Sequence, residues 1–282
     1  MVNIAEIAPD LHRRADGIWV SATRSPVSYP EDGNLRYREI EEDSFWFDHR
    51  NACIVAAIRA FPPAGAVFDV GGGNGVVSLA LRRAGWEVVL VEPGPEGARH
   101  AHARGIESVI CCGLEDAGIR PRALPAVGLF DVVEHVEDDV GFMKEVARLL
   151  APGGRVYLTC PAYPFLWSVE DDYAGHRRRY TRRGLGATLV SAGFSVEFST
   201  YLFAALPVPI LLLRTVPSWL GVRSIASRRQ EAREHRRPSG PWAALLDGIL
   251  AGELAAIRRR IPLPFGGSCL AVARAARWEE EP

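Results

Sequence analysis

The chain has 282 residues, of which 48% are hydrophobic and 24% charged, with a formal net charge of −1. This suits a soluble globular domain with a core of its own, and the near-neutral charge argues against a protein built mainly to hold nucleic acid. Five cysteines with no C-x-x-C, and no histidine at zinc-type spacing from them, give no reason to expect a metal site or a disulfide scaffold.

The N-terminal stretch MVNIAEIAPDLHRRADG lacks an apolar h-region, so no signal peptide is read and a reducing cytoplasm is the expected location. Residues 1–60 precede the first predicted strand and are expected to form a cap. Strands are predicted at 66–70, 87–91, 107–112, 126–131, 155–160, 194–201 and 268–274. Helices are predicted near 51–60, 75–84, 94–104, 139–150 and 181–192. This alternation is the signature of a doubly wound α/β fold with a mostly parallel sheet. Ala151-Pro152-Gly153-Gly154 reads as a helix stop and tight turn before the fifth strand.

At the end of the first strand, residues 66–75 read AVFDVGGGNG. Glycine takes positive φ freely and lets a ligand approach the backbone. The following helix points unpaired N–H groups and its positive dipole end at the same spot. The dinucleotide fingerprint needs glycines at i, i+2 and i+5; here those third positions hold Val76 or Ser78. The pattern that is met is Asp69-x-Gly71-x-Gly73-x-Gly75, with Glu92 at the end of the second strand, where a carboxylate suits ribose hydroxyls. A glycine turn that binds nothing and a nicotinamide site are the alternatives.

This segment resembles the class I S-adenosylmethionine (SAM)-dependent methyltransferases. Two further landmarks carry the resemblance: Leu129 to Asp139 after the fourth strand, and Leu149 to Gly154 before the fifth. It covers roughly residues 45–201 and 266–274. It implies a seven-stranded sheet in the order 3-2-1-4-5-7-6, with an antiparallel last strand and helices on both faces. The organisation then becomes a cap (1–60), a SAM-binding core (61–201 and 266–282) and an apolar, helical insertion (202–265). The resemblance also implies SAM as cofactor and S-adenosylhomocysteine as product. Asp69, Gly71, Gly73, Gly75, Glu92 and Asp131 are the expected cofactor residues, and Arg50 is the candidate to pair with the cofactor's carboxylate. Trp46 and Phe47 read as core anchors.

Methyl transfer from a sulfonium needs the acceptor held in line, and a base if the acceptor is a hydroxyl. Ligands in such sheets bind outside the carboxyl ends of the strands. One candidate segment there is Asp131 to Val136, where His135 is a possible base with a pKa near neutrality and Glu134 reads as a turn residue bordering the cofactor. The other is Pro161 to Tyr180, PAYPFLWSVEDDYAGHRRRY. Tyr163, Trp167, Glu170 and Tyr180 are its expected acceptor contacts, and His176 is the first choice as base. Pairing of Arg178 and Arg179 with Asp171 and Asp172 would hold this loop.

The insertion carries a nearly apolar run, Leu202 to Leu220, broken by Pro207, Pro209, Pro217 and Arg214, and then six arginines between Arg223 and Arg237. The prolines and the arginine argue against a spanning helix. A solvated arm and a peripheral membrane contact through 202–237 are the two readings. The expected function is methyl transfer to oxygen or nitrogen of a small, hydrophobic, sugar or lipid-like acceptor. An NAD(P)-dependent oxidoreductase and a non-catalytic SAM-binding protein are the alternatives. No Asn/Asp-Pro-Pro-Tyr-type motif points to nucleic acid.

Overall fold

Alternating faces of one sheet organise the molecule, which is described by a computed structural model over residues 2–23, 41, 44–222 and 240–276. The strands are β1 (His12–Arg13), β2 (Trp19–Val20), β3 (Val67–Val70), β4 (Val88–Val91), β5 (Val109–Cys111), β6 (Leu124–Phe130), β7 (Leu150–Pro161), β8 (Phe194–Leu202) and β9 (Ser268–Ala275). The helices are α1 (Ile4–Ile7), α2 (Phe45–Ala60), α3 (Val76–Arg83), α4 (Pro95–Ala103), α5 (Asp139–Leu149), α6 (Val169–Ala174), α7 (Arg182–Ser191), α8 (Pro207–Ile210), α9 (Val216–Trp219) and α10 (Pro241–Arg258).

The sheet order is β1-β2-β5-β4-β3-β6-β7-β9-β8. All seven expected strands are present, and β9 runs antiparallel between β7 and β8. The expected total of seven is corrected to nine among the described residues. The two additional strands come from the segment expected to cap the site. Residues 12–20 form a short antiparallel pair, and β2 continues the sheet beside β5. Burial drives this: Ile18 packs with Leu90, Ala98, Ile106 and Val109. The Asp16-Gly17 turn between the pair is a hairpin signal that the sequence reading passed over.

β3 and β4 are buried at every position, as expected of parallel strands covered on both faces. Phe68, Val89, Val127, Leu129 and Val156 pack on one side with α5 and α7 through Met143, Val146, Leu185 and Leu189. Val67, Val88, Ala126, Tyr157 and Val272 pack on the other with α2, α3 and α10. Residues 151–154, expected as a turn, already belong to β7, as does Leu150, expected to end the helix: Leu150 pairs with Leu124, and a register shift follows before Arg155 pairs with Ala126.

Helix α2 begins at residue 45, earlier than the expected 51, because Ser44 caps it by accepting from Phe47 N at 3.3 Å. The described end of the insertion, α10, packs into the core. Leu250 and Ile257 of α10 share an apolar cluster with Ile54 and Ile58 of α2. Buried Glu253 accepts from Phe203 N (2.8 Å) and Ala204 N (2.5 Å) and meets His49 Nε2 at 2.9 Å. So α10 fixes α2, the helix that carries Arg50. Arg223 to Arg237 lie outside the described residues. Among the described residues no helix is long and apolar enough to cross a membrane.

Candidate active site

The loop from β3 to α3 sits at the carboxyl ends of three adjacent parallel strands, β4, β3 and β6. Gly71, Gly73 and Gly75 take φ of 70°, 52° and 77°, in the left-handed region that costs other residues about 1–2 kcal/mol. A Cβ on Gly71 would stand 2.7 Å from Val132 Cγ2, and one on Gly75 would stand 2.8 Å from Ala101 Cβ. The loop after β6 therefore lies directly against the glycine loop.

Glu92 spans the mouth of this loop. Its carboxylate accepts from Gly73 N at 2.8 Å and from Gly94 N at 2.7 Å, and burial pushes its pKa up to about 7. Two lone-pair positions remain for hydroxyl donors. Asp69 lies beneath the loop, accepting from Ser78 Oγ at 2.6 Å, and burial raises its pKa to about 6. It ties β3 to α3 and shapes the loop from below.

Arg50 is buried, with its guanidinium 4.7 Å from the Trp46 ring centroid and 5.1 Å from that of Phe47. It pairs with Asp131, so its charge is matched here by a protein carboxylate. Its Nε has no hydrogen-bond partner among the described residues. Asp131 itself holds φ at 60°, a strained value for a non-glycine. It is kept there by donating its N–H to Thr159 O (2.9 Å) and accepting from Thr159 Oγ1 (3.1 Å). Sequence reading missed Thr159. It also missed Glu41, which accepts from Asn74 Nδ2 at 3.0 Å and pairs with Arg104 at 2.8 Å; neither follows a motif.

The second half of the site is the loop 163–179. Its ends are pinned by Tyr163 N to Tyr180 O (2.8 Å) and Tyr180 N to Pro161 O (3.0 Å). Inside it, buried Asp171 accepts from Arg179 Nε (2.8 Å) and Nη2 (3.0 Å) and meets His176 Nδ1 at 2.8 Å. These partners pull the Asp171 carboxyl down to about 2 against the opposing effect of its burial. Of the expected loop pairs only Arg179–Asp171 forms as stated. Arg178 instead pairs with Asp139 at 3.1 Å, and Asp172 accepts from Trp167 Nε1 at 3.0 Å.

His176 and His135 meet with ring centroids 4.9 Å apart. Burial and the His176 imidazole push His135 down to about 4, well below the near-neutral value expected from its type. Glu134 stands beside them, fully buried, with neither carboxylate oxygen hydrogen-bonded; burial, and then the neighbouring Asp131, hold its pKa well above the carboxylate range. One ligand atom from each of Glu134, His135 and His176 lies within 4.8 Å of the others. These three could hold a metal, an arrangement that the spacing along the chain conceals.

Tyr163 stacks on Phe165 and Tyr201, with centroids 5.2 and 5.0 Å away, forming an aromatic wall, and Glu170 is half-buried on α6. Tyr180 is a correction to the expected acceptor contacts. It is buried in the core and donates its hydroxyl to Asp139 at 2.6 Å.

A profile of the methyltransferase domain matches residues 45–197. A ubiquinone biosynthesis O-methyltransferase of Xanthomonas oryzae pv. oryzae (strain PXO99A) is 35% identical over 103 residues, 34% of this chain and 43% of that protein. A protein of the same description from Xylella fastidiosa (strain 9a5c) is 34% identical over 108 residues, 36% of this chain and 44% of that protein. The chain thus spans less than half the length of these relatives. Among solved structures, phosphoethanolamine N-methyltransferase 2 of Haemonchus contortus with S-adenosyl-L-methionine gives a TM-score of 0.55 at 15% identity, covering 98% of this chain and 60% of that one. A SAM-dependent methyltransferase from Thermotoga maritima gives 0.55 at 17%, covering 88% and 99%. The [4+2]-cyclase SpnF gives 0.56 at 16%, covering 91% and 99%. At such identities the likeness is one of fold, and fold alone does not set chemistry. The profile, however, spans more than half of the chain and contains the glycine loop, Glu92, Asp131 and His176: the chain belongs to the class I, SAM-dependent methyltransferase family.

Proposed function

We propose that this protein transfers the methyl group of SAM to a hydroxyl of a small, hydrophobic acceptor. The adenosyl part lies over Gly71 to Gly75 with the ribose at Glu92, and the sulfonium lies near Asp131. The acceptor enters between the glycine loop and the 163–179 loop, along Tyr163, Trp167 and Glu170. His176 and its neighbours meet the acceptor oxygen and activate it. The reaction is a direct displacement in which the oxygen–carbon bond forms as the sulfur–carbon bond breaks.

The observation that carries this reading is the juxtaposition across the loop after β6. Val132 touches the glycine loop on one side, while Glu134 and His135, two and three residues on, meet His176 on the other. A group bound over the glycines is therefore adjacent to a buried polar cluster. The O-methyltransferase relatives support oxygen as the acceptor atom. Leu212, Leu213, Trp219 and Leu220 are exposed by 59–70% beside the arginine-rich run in sequence, which supports an acceptor of lipid character reached at a membrane surface. The test is incubation with methyl-labelled SAM and a panel of phenolic, sugar and prenylated hydroxyl acceptors, followed by detection of labelled product. Label transfer to none of them, with SAM bound, would favour a non-catalytic SAM-binding protein.

A further inference from the structure

We propose that Glu134, His135 and His176 form a divalent-metal site that takes the acceptor's hydroxyl oxygen as a further ligand. The proposal deepens the methyl-transfer reading and rests on it for the identity of that last ligand.

Three independent features converge. The candidate ligand atoms of the three residues already lie within 4.8 Å of one another. Glu134 is 0% exposed, and neither oxygen of its carboxylate has a hydrogen-bond partner. Such a group costs stability unless something pairs with it. Third, His176 is oriented as metal-ligating histidines are, with its far nitrogen on a carboxylate. Its Nδ1 meets Asp171 Oδ1 at 2.8 Å, so Nε2 is the nitrogen left for an ion. Asp171 is in turn locked by Arg179 and by Ser168 N at 2.9 Å.

The two segments are also pinned to each other. Arg177 N donates to Glu134 O at 2.8 Å, so the short helical turn Val133–His135 and residue 176 face one another across a fixed gap. Two imidazoles and one carboxylate are the donor set of catalytic zinc sites, with positions left open for water or substrate. The nitrogen content favours zinc, copper, iron or nickel over magnesium. Such an ion would lower the pKa of a bound hydroxyl, as it does that of bound water, so that the proton would pass to solvent. The resulting oxyanion forms its bond to the methyl carbon as the sulfur–carbon bond breaks, giving a methyl ether and the neutral thioether. In this arrangement His176 serves as a ligand, and no separate base is required.

The experiment uses the full chain, stripped with a chelator and titrated with Zn²⁺ alone by calorimetry, in parallel with S-adenosylhomocysteine. One equivalent of Zn²⁺ is expected to bind. Glu134→Gln and His176→Ala should each weaken it by about 100-fold or more, beyond the 10–100-fold typical of second-shell changes, with S-adenosylhomocysteine affinity within about twofold. Co²⁺ should give visible d–d absorption in the wild type and lose it in both variants. Glu134→Gln keeps the shape of the side chain, and in His176→Ala the Asp171 carboxylate keeps both of its Arg179 hydrogen bonds, so both should fold, as thermal unfolding will report. No stoichiometric Zn²⁺ binding, or equal binding in the variants (which would put the ion on cysteines), overturns the metal site. Failure of S-adenosylhomocysteine to bind instead overturns the functional reading, whatever zinc does.

Discussion

The two halves of the site are built in opposite ways. In the cofactor half, the backbone does the shaping: three glycines at positive φ, with Gly73 N and Gly94 N both satisfied by Glu92. In the acceptor half, side chains face one another across a loop closure, and a buried carboxylate remains unpaired. A backbone-made site follows from consecutive residues. A side-chain cluster depends on segments that are brought together only by the fold.

The comparison can be broken most sharply at Gly73. Gly73→Val places a β-branched residue at φ 52°, on the loop proposed to carry the cofactor. It should abolish S-adenosylhomocysteine binding by calorimetry, with the circular dichroism spectrum retained. In the other half, His176→Ala should lower turnover by about 10²-fold or more, the usual scale for a lost activating group, while S-adenosylhomocysteine affinity stays within about twofold. His135→Ala is its partner: loss of turnover there alone would move the decisive group across the pair. If both kept turnover, positioning alone would suffice.

A smaller effect is expected at Glu92. Glu92→Ala removes charge-assisted hydrogen bonds worth about 1.5–3 kcal/mol, so S-adenosylhomocysteine should bind about tenfold or more weakly. Unchanged affinity would place the ribose elsewhere. The same residue sharpens the comparison through pH. Its folded pKa of about 7 lies above the ordinary value of 4.5, so the folded state binds more protons than the unfolded one between these values. Its contribution to stability therefore falls as pH rises from about 4.5 through about 7. Unfolding temperatures of the ligand-free protein should drop more over that window in the wild type than in Glu92→Gln. Equal slopes would mean that the carboxyl is not buried as described. The smallest effect concerns the insertion: Trp219→Ser with Leu220→Ser should reduce co-sedimentation with anionic vesicles, leaving S-adenosylhomocysteine binding intact.

The same contrast explains what could be read from the sequence. Asp69, Gly71, Gly73, Gly75 and Glu92 lie at motif spacing, and periodicity located the seven expected strands within a few residues of their places. The short pair β1–β2 was missed because two-residue strands carry no periodicity, although Asp16-Gly17 marked the turn. Glu134 was read as a turn residue because its meeting with His176 depends on the pinned 163–179 loop. Tyr180 was read as a contact because an aromatic in a polar stretch looks the same whether it faces a pocket or, as here, Asp139 in the core. Arg50 fell one residue ahead of the helix expected at 51–60, which in fact begins at Phe45, and its pairing with Asp131 follows from tertiary packing.

The most direct test of the account is calorimetric titration of the wild-type chain with S-adenosylhomocysteine and, separately, with NADH. The account predicts one S-adenosylhomocysteine bound and no NADH, with stabilisation of about 2.7 kcal/mol when the ligand is at a hundred times its Kd. Binding of NADH without S-adenosylhomocysteine would contradict it.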